Sequence, residues 1–222
     1  KILLLLSLTT LLLPAANWTQ WRGPTRDSSI HKGAAPWPKS LTKDNLKLLW
    51  STDLGEGYAS PIIADGKVIT VETLKKKEEI VRAFDRKTGK PIWDATWAGS
   101  MRVPFYAAKN GSWVRSTPAT DGISLFVGGM RDVLVALDLS TGKEKWRRDY
   151  PDEEKTPLPS FGFVSSPLLD TDHLYVQVGT ALRKIKKSNG DTIWQALADE
   201  RSMFGSAFSS PYRAKIQGVD QV

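Results

Sequence analysis

From residue 56 onward, short apolar runs alternate with turn signals. Residues 60–63 lead through Asp65-Gly66 into Val68-Ile69-Thr70-Val71, then Ile80-Val81-Arg82-Ala83-Phe84, then through Thr88-Gly89 into residues 91–95. Asp-Gly between β-branched runs is a hairpin signal, because Gly takes φ > 0 without a Cβ clash. Asp121-Gly122 repeats that signal one unit later. The pattern predicts four short antiparallel strands over 56–95, again over 112–149 and 161–197, and the start of a further unit over 207–222.

The end of each unit carries one phrase. Ala83-Phe84-Asp85-Arg86-Lys87-Thr88-Gly89-Lys90-Pro91-Ile92-Trp93 returns as Ala136-Leu137-Asp138-Leu139-Ser140-Thr141-Gly142-Lys143-Glu144-Lys145-Trp146. A third copy, Lys184-Ile185-Lys186-Lys187-Ser188-Asn189-Gly190-Asp191-Thr192-Ile193-Trp194, keeps the Gly and Trp but replaces the Ala, Asp and Thr. Upstream of each copy stands a Ser/Thr-Pro step, at Ser60-Pro61, Thr117-Pro118 and Ser166-Pro167, with a fourth at Ser210-Pro211. A fixed period of about 40 to 50 residues is the mark of a repeat architecture, and four antiparallel strands per repeat make a propeller blade. The expected fold is therefore all-β, a propeller of four-stranded antiparallel blades, with about three and a half blades here. In the phrase, Asp85 and Asp138 accept hydrogen bonds from their own turns, while Gly89, Gly142 and Gly190 supply left-handed positions. Trp93, Trp146 and Trp194 are large enough to cross to the next blade, where the indole N–H needs a partner. In the third copy, Lys186 in place of Asp puts the outer hairpin in question.

The A-x-D-x-x-T-G-x-x-x-W phrase resembles the tryptophan-docking motif of the PQQ-like β-propellers, a family with both quinoprotein dehydrogenases and BamB-like scaffolds. The stretch Asn17-Trp18-Thr19-Gln20-Trp21-Arg22-Gly23-Pro24-Thr25-Arg26-Asp27 is similar to the W-x-Q-W-R-G-P-x-R start of bacterial secreted members. The resemblance implies a ring of about seven or eight blades, of which this chain would be roughly half. It also implies closure by an N-terminal strand, for which Leu46-Lys47-Leu48-Leu49-Trp50 has the form.

Residues 1–16 read as the remnant of a secretory signal: Lys1, a mostly apolar run over 2–13, then Pro14-Ala15-Ala16. That run is too short for a bilayer-spanning helix, and no integral membrane span is expected. Residues 17–49 form a lead-in and 50–222 the partial propeller, so the expected location is periplasmic or secreted. There are no cysteines, which excludes disulfides, thiolate metal sites and a lipid-attached Cys within these residues. The net charge of +7 is spread over hairpins such as Lys75–Lys77, Arg86-Lys87 and Arg147-Arg148. Without a helix or nucleic-acid fold to carry them, these read as solvated blade edges on the rim, and no nucleic acid is expected.

Candidate chemistry lies in the connections between blades, which all cross one face of the disc. The longest, residues 94–116, carries Trp97, Arg102, Tyr106, Trp113 and Arg115, the candidate residues for binding a protein or small-molecule ligand. Phe161-Gly162-Phe163 and Phe204-Gly205-Ser206-Ala207-Phe208 fill the equivalent connections, where Phe packing under the loop face is expected. No catalytic residue and no metal ligand is singled out. Glu56, Asp199 and Glu200 offer oxygens without calcium-cage spacing, and His31 and His173 are far apart with no triad motif. The expectation is a non-catalytic binding or assembly scaffold without a cofactor. The alternative is a dehydrogenase using PQQ and Ca²⁺, which the family resemblance alone supplies.

Overall fold

The computed structural model describes residues 17–30, 38–199 and 208–222. The expected signal segment, His31, Glu200 and Phe204 to Ala207 lie outside the described residues. Asp65 and Gly66 both take left-handed backbone, with φ of 48° and 69°. That is the type I′ geometry matching strand twist, so β1 (Ile62–Ala64) turns directly into β2 (Lys67–Leu74). β3 (Glu78–Asp85) and β4 (Pro91–Ala98) complete an antiparallel sheet in the order β1-β2-β3-β4. The second sheet is β5 (Ala119–Thr120), β6 (Ser124–Gly129), β7 (Val133–Asp138) and β8 (Glu144–Asp149). The third is β9 (Leu168–Leu169), β10 (His173–Val178), β11 (Ala181–Lys186) and β12 (Thr192–Ala196). β13 (Ala214–Ile216) and β14 (Val219–Gln221) pair as a fourth, two-stranded sheet. Among the described residues helix is confined to connections: a 3-10 segment, Phe105–Asn110, and the five-residue α1, Tyr150–Glu154.

Successive blades pack face to face. Leu125, Val127, Val133, Val135 and Leu137 of the second blade meet Ile69, Val71 and Val81 of the first. Its other face, Phe126, Leu134 and Ala136, meets Leu174, Val176 and Ile185 of the third. Burial on both faces is why β6 and β7 read as unbroken apolar runs rather than alternating ones.

The repeat phrase forms the same turn three times. Asp85, Asp138 and Lys186 each accept from the amide of the Gly four residues on, at 2.8, 2.8 and 3.0 Å. Each ladder shifts register by one residue before the Trp. The outer hairpin of the third blade is therefore intact, against the expectation. Main-chain bonds carry the turn there, while Asn189 Oδ1 accepts from the Asp191 amide at 3.2 Å in place of the Asp cap. In the first two blades Asp85 and Asp138 accept from backbone amides and hydroxyls of their own turns. Those bonds hold the Asp85 carboxyl below its usual range, chiefly through Thr88, and lower Asp138 to about 2, chiefly through Ser140.

Trp93 and Trp146 dock on the Gly turn of the following blade. The indole of Trp93 donates to Leu139 O at 3.2 Å and that of Trp146 to Lys187 O at 2.8 Å. Trp50, ahead of the first blade, does the same to Arg86 O at 2.9 Å. A Cβ on Gly89, Gly142 or Gly190 would stand 2.5, 2.5 or 2.9 Å from the docked ring. Trp194 departs from the expectation: it stacks on Tyr175 of its own sheet and is 40 % exposed. The physical reason is that its acceptor would be an outer hairpin, and the fourth unit's two described strands do not include one. Residues 46–49 take no sheet partner among the described residues, and Leu48 and Leu49 remain exposed.

The inner edge has its own ladder. The Ser60 amide donates to Thr117 Oγ1 at 3.0 Å, the Thr117 amide to Ser166 Oγ at 3.0 Å, and the Ser166 amide to Ser210 Oγ at 2.9 Å. The Ser/Thr-Pro steps thus tie each inner strand to the next. Residues 17–30 cross the same three strands. Trp18 pairs with Ile63, the Thr120 amide donates to Thr19 O at 2.9 Å, and Arg26 donates to Pro167 O at 2.7 Å and Ser166 O at 3.2 Å. Arg26 is only 2 % exposed, and burial is the main cause that lowers its pKa to about 10, with Arg22 adding to it.

Candidate functional site

The end of the blades that carries the connections also carries the turns between second and third strands. Gly99 and Ser100 amides donate to Lys77 O at 3.2 and 3.1 Å, joining the β2–β3 turn to the long connection. The lysine run Lys75–Lys77 therefore belongs to the loop face and not to the rim, which corrects the sequence expectation. Strand parity decides this: every second hairpin end shares a face with the blade connections. Lys75 and Lys76 occupy the turn with φ of 51° and 59°, positions that Asn-Gly fills without strain.

Of the five candidate residues, Trp97 does not belong to an exposed loop. β4 runs on to Ala98, Trp97 is 7 % exposed, and its indole donates to Glu79 Oε2 at 2.7 Å. Trp93, Ala95 and Trp97 alternate inward along β4, a period-two signal present in the sequence. The other four stay on the loop face. Arg102, Trp113, Lys76, Lys109, Ser100 and Ser112 line a cleft of ≈ 440 Å³. Trp113 is its rigid wall: its ring lies on Gly111, where a Cβ would come within 2.4 Å, and Tyr58 packs against it at 5.6 Å. Arg115 sits 5.0 Å over the Tyr58 ring and donates to Gly111 O at 3.2 Å; burial lowers its pKa.

Beside the cleft runs a row of aromatic rings. Phe105, 91 % exposed, contacts Tyr106 at 5.6 Å, Tyr106 contacts Phe161 at 6.3 Å, and Phe161 contacts Phe208 at 5.4 Å. Tyr106 and Phe208 are exposed as well. The row takes rings from three successive connections, so blade order alone brings them together. Phe163 behaves as the sequence suggested and is buried against Gly128. Phe208 does not; it stands in the row. Phe105, Phe161, Lys76 and Lys109 are members that sequence reasoning did not single out as binding residues.

Two buried carboxylates join the blades just beneath this face. Glu79 Oε1 accepts from the Met130 amide at 2.6 Å, and Asp132 Oδ2 from the Gly179 amide at 2.8 Å. Burial raises both to about 7 against the opposing pull of those amides. Arg147 over the Trp97 ring at 5.5 Å and Arg183 near Asp132 also oppose the rise.

Among the described residues no group of three or more His, Cys, Asp or Glu is placed to hold a metal ion. Glu56 is exposed and paired through its backbone with Thr73, while Asp199 lies near Asp132 in a separate hollow of ≈ 220 Å³. His173 lies beside Asp170, 3.3 Å away. No helix among the described residues is long and apolar enough to cross a membrane.

Comparison with known proteins adds kinship. The model of the family described as outer membrane protein assembly factor BamB matches residues 76–219. BamB of Yersinia pestis is 25 % identical over 84 % of this chain and 46 % of its own length. A 1-butanol dehydrogenase (cytochrome c) of Thauera butanivorans is 32 % identical over 55 % of this chain and 18 % of its own length. The chain thus spans less than half of either relative. Among solved structures, a europium-containing methanol dehydrogenase superposes with a TM-score of 0.53 at 17 % identity, over 80 % of this chain and 32 % of that one, which shows the shared fold.

Proposed function

The chain belongs to the BamB-type family of PQQ-like repeat propellers, and from that membership we propose that it serves as an exported, non-catalytic scaffold that docks a protein on its loop face. The observation that carries this reading is the row Phe105–Tyr106–Phe161–Phe208, in which Phe105, Tyr106 and Phe208 are exposed and Phe161 is half-buried. Exposed aromatics from two connections, bridged by the half-buried Phe161 of a third and with arginines nearby, have the composition of a binding hot spot. Export is supported by the apolar run at residues 2–13, and the periplasm is the compartment this reading assigns. No cofactor enters it.

The test is capture from periplasmic extract with the full protein as bait. Phe105→Ala with Tyr106→Ala should lose the protein that the wild type retains, by tenfold or more. Each lost aromatic anchor typically removes about 2 kcal/mol. Lys143→Ala on an outer turn serves as control. Equal retention by the aromatic variant and the wild type would overturn the reading.

A second reading, a quinone- and Ca²⁺-dependent dehydrogenase, is favoured by the identity to the butanol dehydrogenase. Uptake of PQQ with Ca²⁺ by the complete protein, seen as the cofactor's absorbance, would support it.

A further inference from the structure

We propose that the cleft between the β2–β3 turn and the long connection binds an acidic, extended peptide segment of the docked protein; this rests on the scaffold reading above. Three cations line the cleft, Lys76, Arg102 and Lys109, and no carboxylate does. Five other arginines are matched to acids: Arg82 to Glu72, Arg147 to Glu144, Arg148 to Glu153, Arg183 to Glu154 and Arg213 to Asp220. Arg102 has no such partner among the described residues. Gathered cations without a local counter-charge raise the positive potential of a concave site and draw in anionic groups.

The site is also built to hold a shape. Gly111, at φ 75°, lets the Trp113 ring approach its backbone where a Cβ would come within 2.4 Å, and Tyr58 packs against that ring at 5.6 Å. Arg115 behind Tyr58 adds a further positive charge with no carboxylate bonded to it. The Ser112 hydroxyl accepts from the Val103 amide at 3.1 Å, which leaves its own hydrogen for donation to an acceptor in the cleft. The left-handed pair Lys75-Lys76 keeps two cations where glycine would be easier on the backbone.

A chain segment, rather than a discrete small anion, is the occupant this layout favours. Phe105 and Tyr106 open the same 3-10 segment whose Ala108 and Lys109 line the cleft. An occupant therefore leaves the cleft directly onto the aromatic row. A strand-like peptide places alternate side chains on one side, so carboxylates can face the cleft while the chain runs on to present an apolar residue to the row.

The experiment is fluorescence anisotropy with the full protein and a labelled ten-residue Asp/Glu-rich peptide containing one Phe. The expected result is saturable binding that weakens with added salt. The analogue with Lys and Arg in place of the acids should not bind. Lys76→Glu with Arg102→Glu should weaken the acidic peptide at least tenfold, and the milder Arg102→Gln, whose side chain is exposed, should weaken it severalfold with far-UV dichroism unchanged. Equal binding of the two peptides, or unchanged binding by both variants, would overturn the proposal. So would displacement of the peptide by a ten-nucleotide oligo-dT at lower concentration than by unlabelled peptide, which would make the cleft a nucleic-acid site. In the extract-capture experiment the charge-reversed variant should also lose the partner. Loss with the aromatic variant but not with the charge variant would end this inference and leave the scaffold reading standing. Retention by both variants would end the scaffold reading itself.

Discussion

At the scale of single residues, the glycine of the repeat phrase answers two demands at once. Gly142 sits at φ 73°, and a Cβ there would stand 2.5 Å from the Trp93 ring. Left-handed backbone alone costs a non-Gly residue about 1–3 kcal/mol, and forcing an atom into a packed contact adds about 1–3 kcal/mol. Gly142→Ala should therefore lower stability by about 2–6 kcal/mol in a urea titration of the full protein. The two contributions separate in a double-mutant cycle, because in a Trp93→Ala background only the backbone strain remains. A loss that is the same in both backgrounds would mean that the ring does not press on the turn. The phrase was legible because Asp, Gly and Trp each answer a requirement no other residue meets as well. The Gly–Trp contact was not, since it joins residues of different repeats.

At the scale of strands and turns, the Ser/Thr-Pro steps have a role that spacing announced but did not explain. Thr117 accepts through Oγ1 from the Ser60 amide and donates its own amide to Ser166 Oγ. Thr117→Val keeps the shape and removes the acceptor, leaving a partly buried amide unpaired, which typically costs about 1–3 kcal/mol. Thr117→Ser should recover most of that loss; denaturation midpoints of the two variants, measured together, check it. Four-stranded sheets were readable from runs and turn residues, because strand period and Asp-Gly chemistry are local. What shares a face was harder. Lys75–Lys77 read as rim because charge pattern says nothing about strand parity, and Trp97 read as loop although Trp93, Ala95 and Trp97 alternate as a strand does. Arg26 was visible only as part of a phrase. Its role depends on contacts with Ser166 and Pro167 in the third repeat, more than a hundred residues away.

At the scale of the whole array, cohesion between blades depends on pH through two carboxylates. Glu79 accepts from Met130 across the first joint and Asp132 from Gly179 across the second, and burial raises both to about 7. Unfolded, they titrate near 4.5 and 3.8. A carboxyl raised in the folded state binds its proton more tightly there. Its contribution is fully present below the unfolded value and is lost as pH rises through about 7. Asp85 and Asp138 shift the opposite way, so what they contribute fades only below pH 4 and does not mask the effect. The urea midpoint of the full protein should therefore fall between pH 5 and pH 8. Each buried acid accounts for about 2–3 kcal/mol of that fall. Glu79→Gln keeps an acceptor for the Met130 amide without a charge to bury, and should flatten roughly half of the slope. A midpoint that stays level over this range would mean that both acids are already ionised in the folded joint at pH 5. Because both joints lie directly under the loop face, the same titration reaches the docking surface. Partner capture should accordingly weaken on going from pH 6 to pH 8, and Glu79→Gln should lessen that weakening.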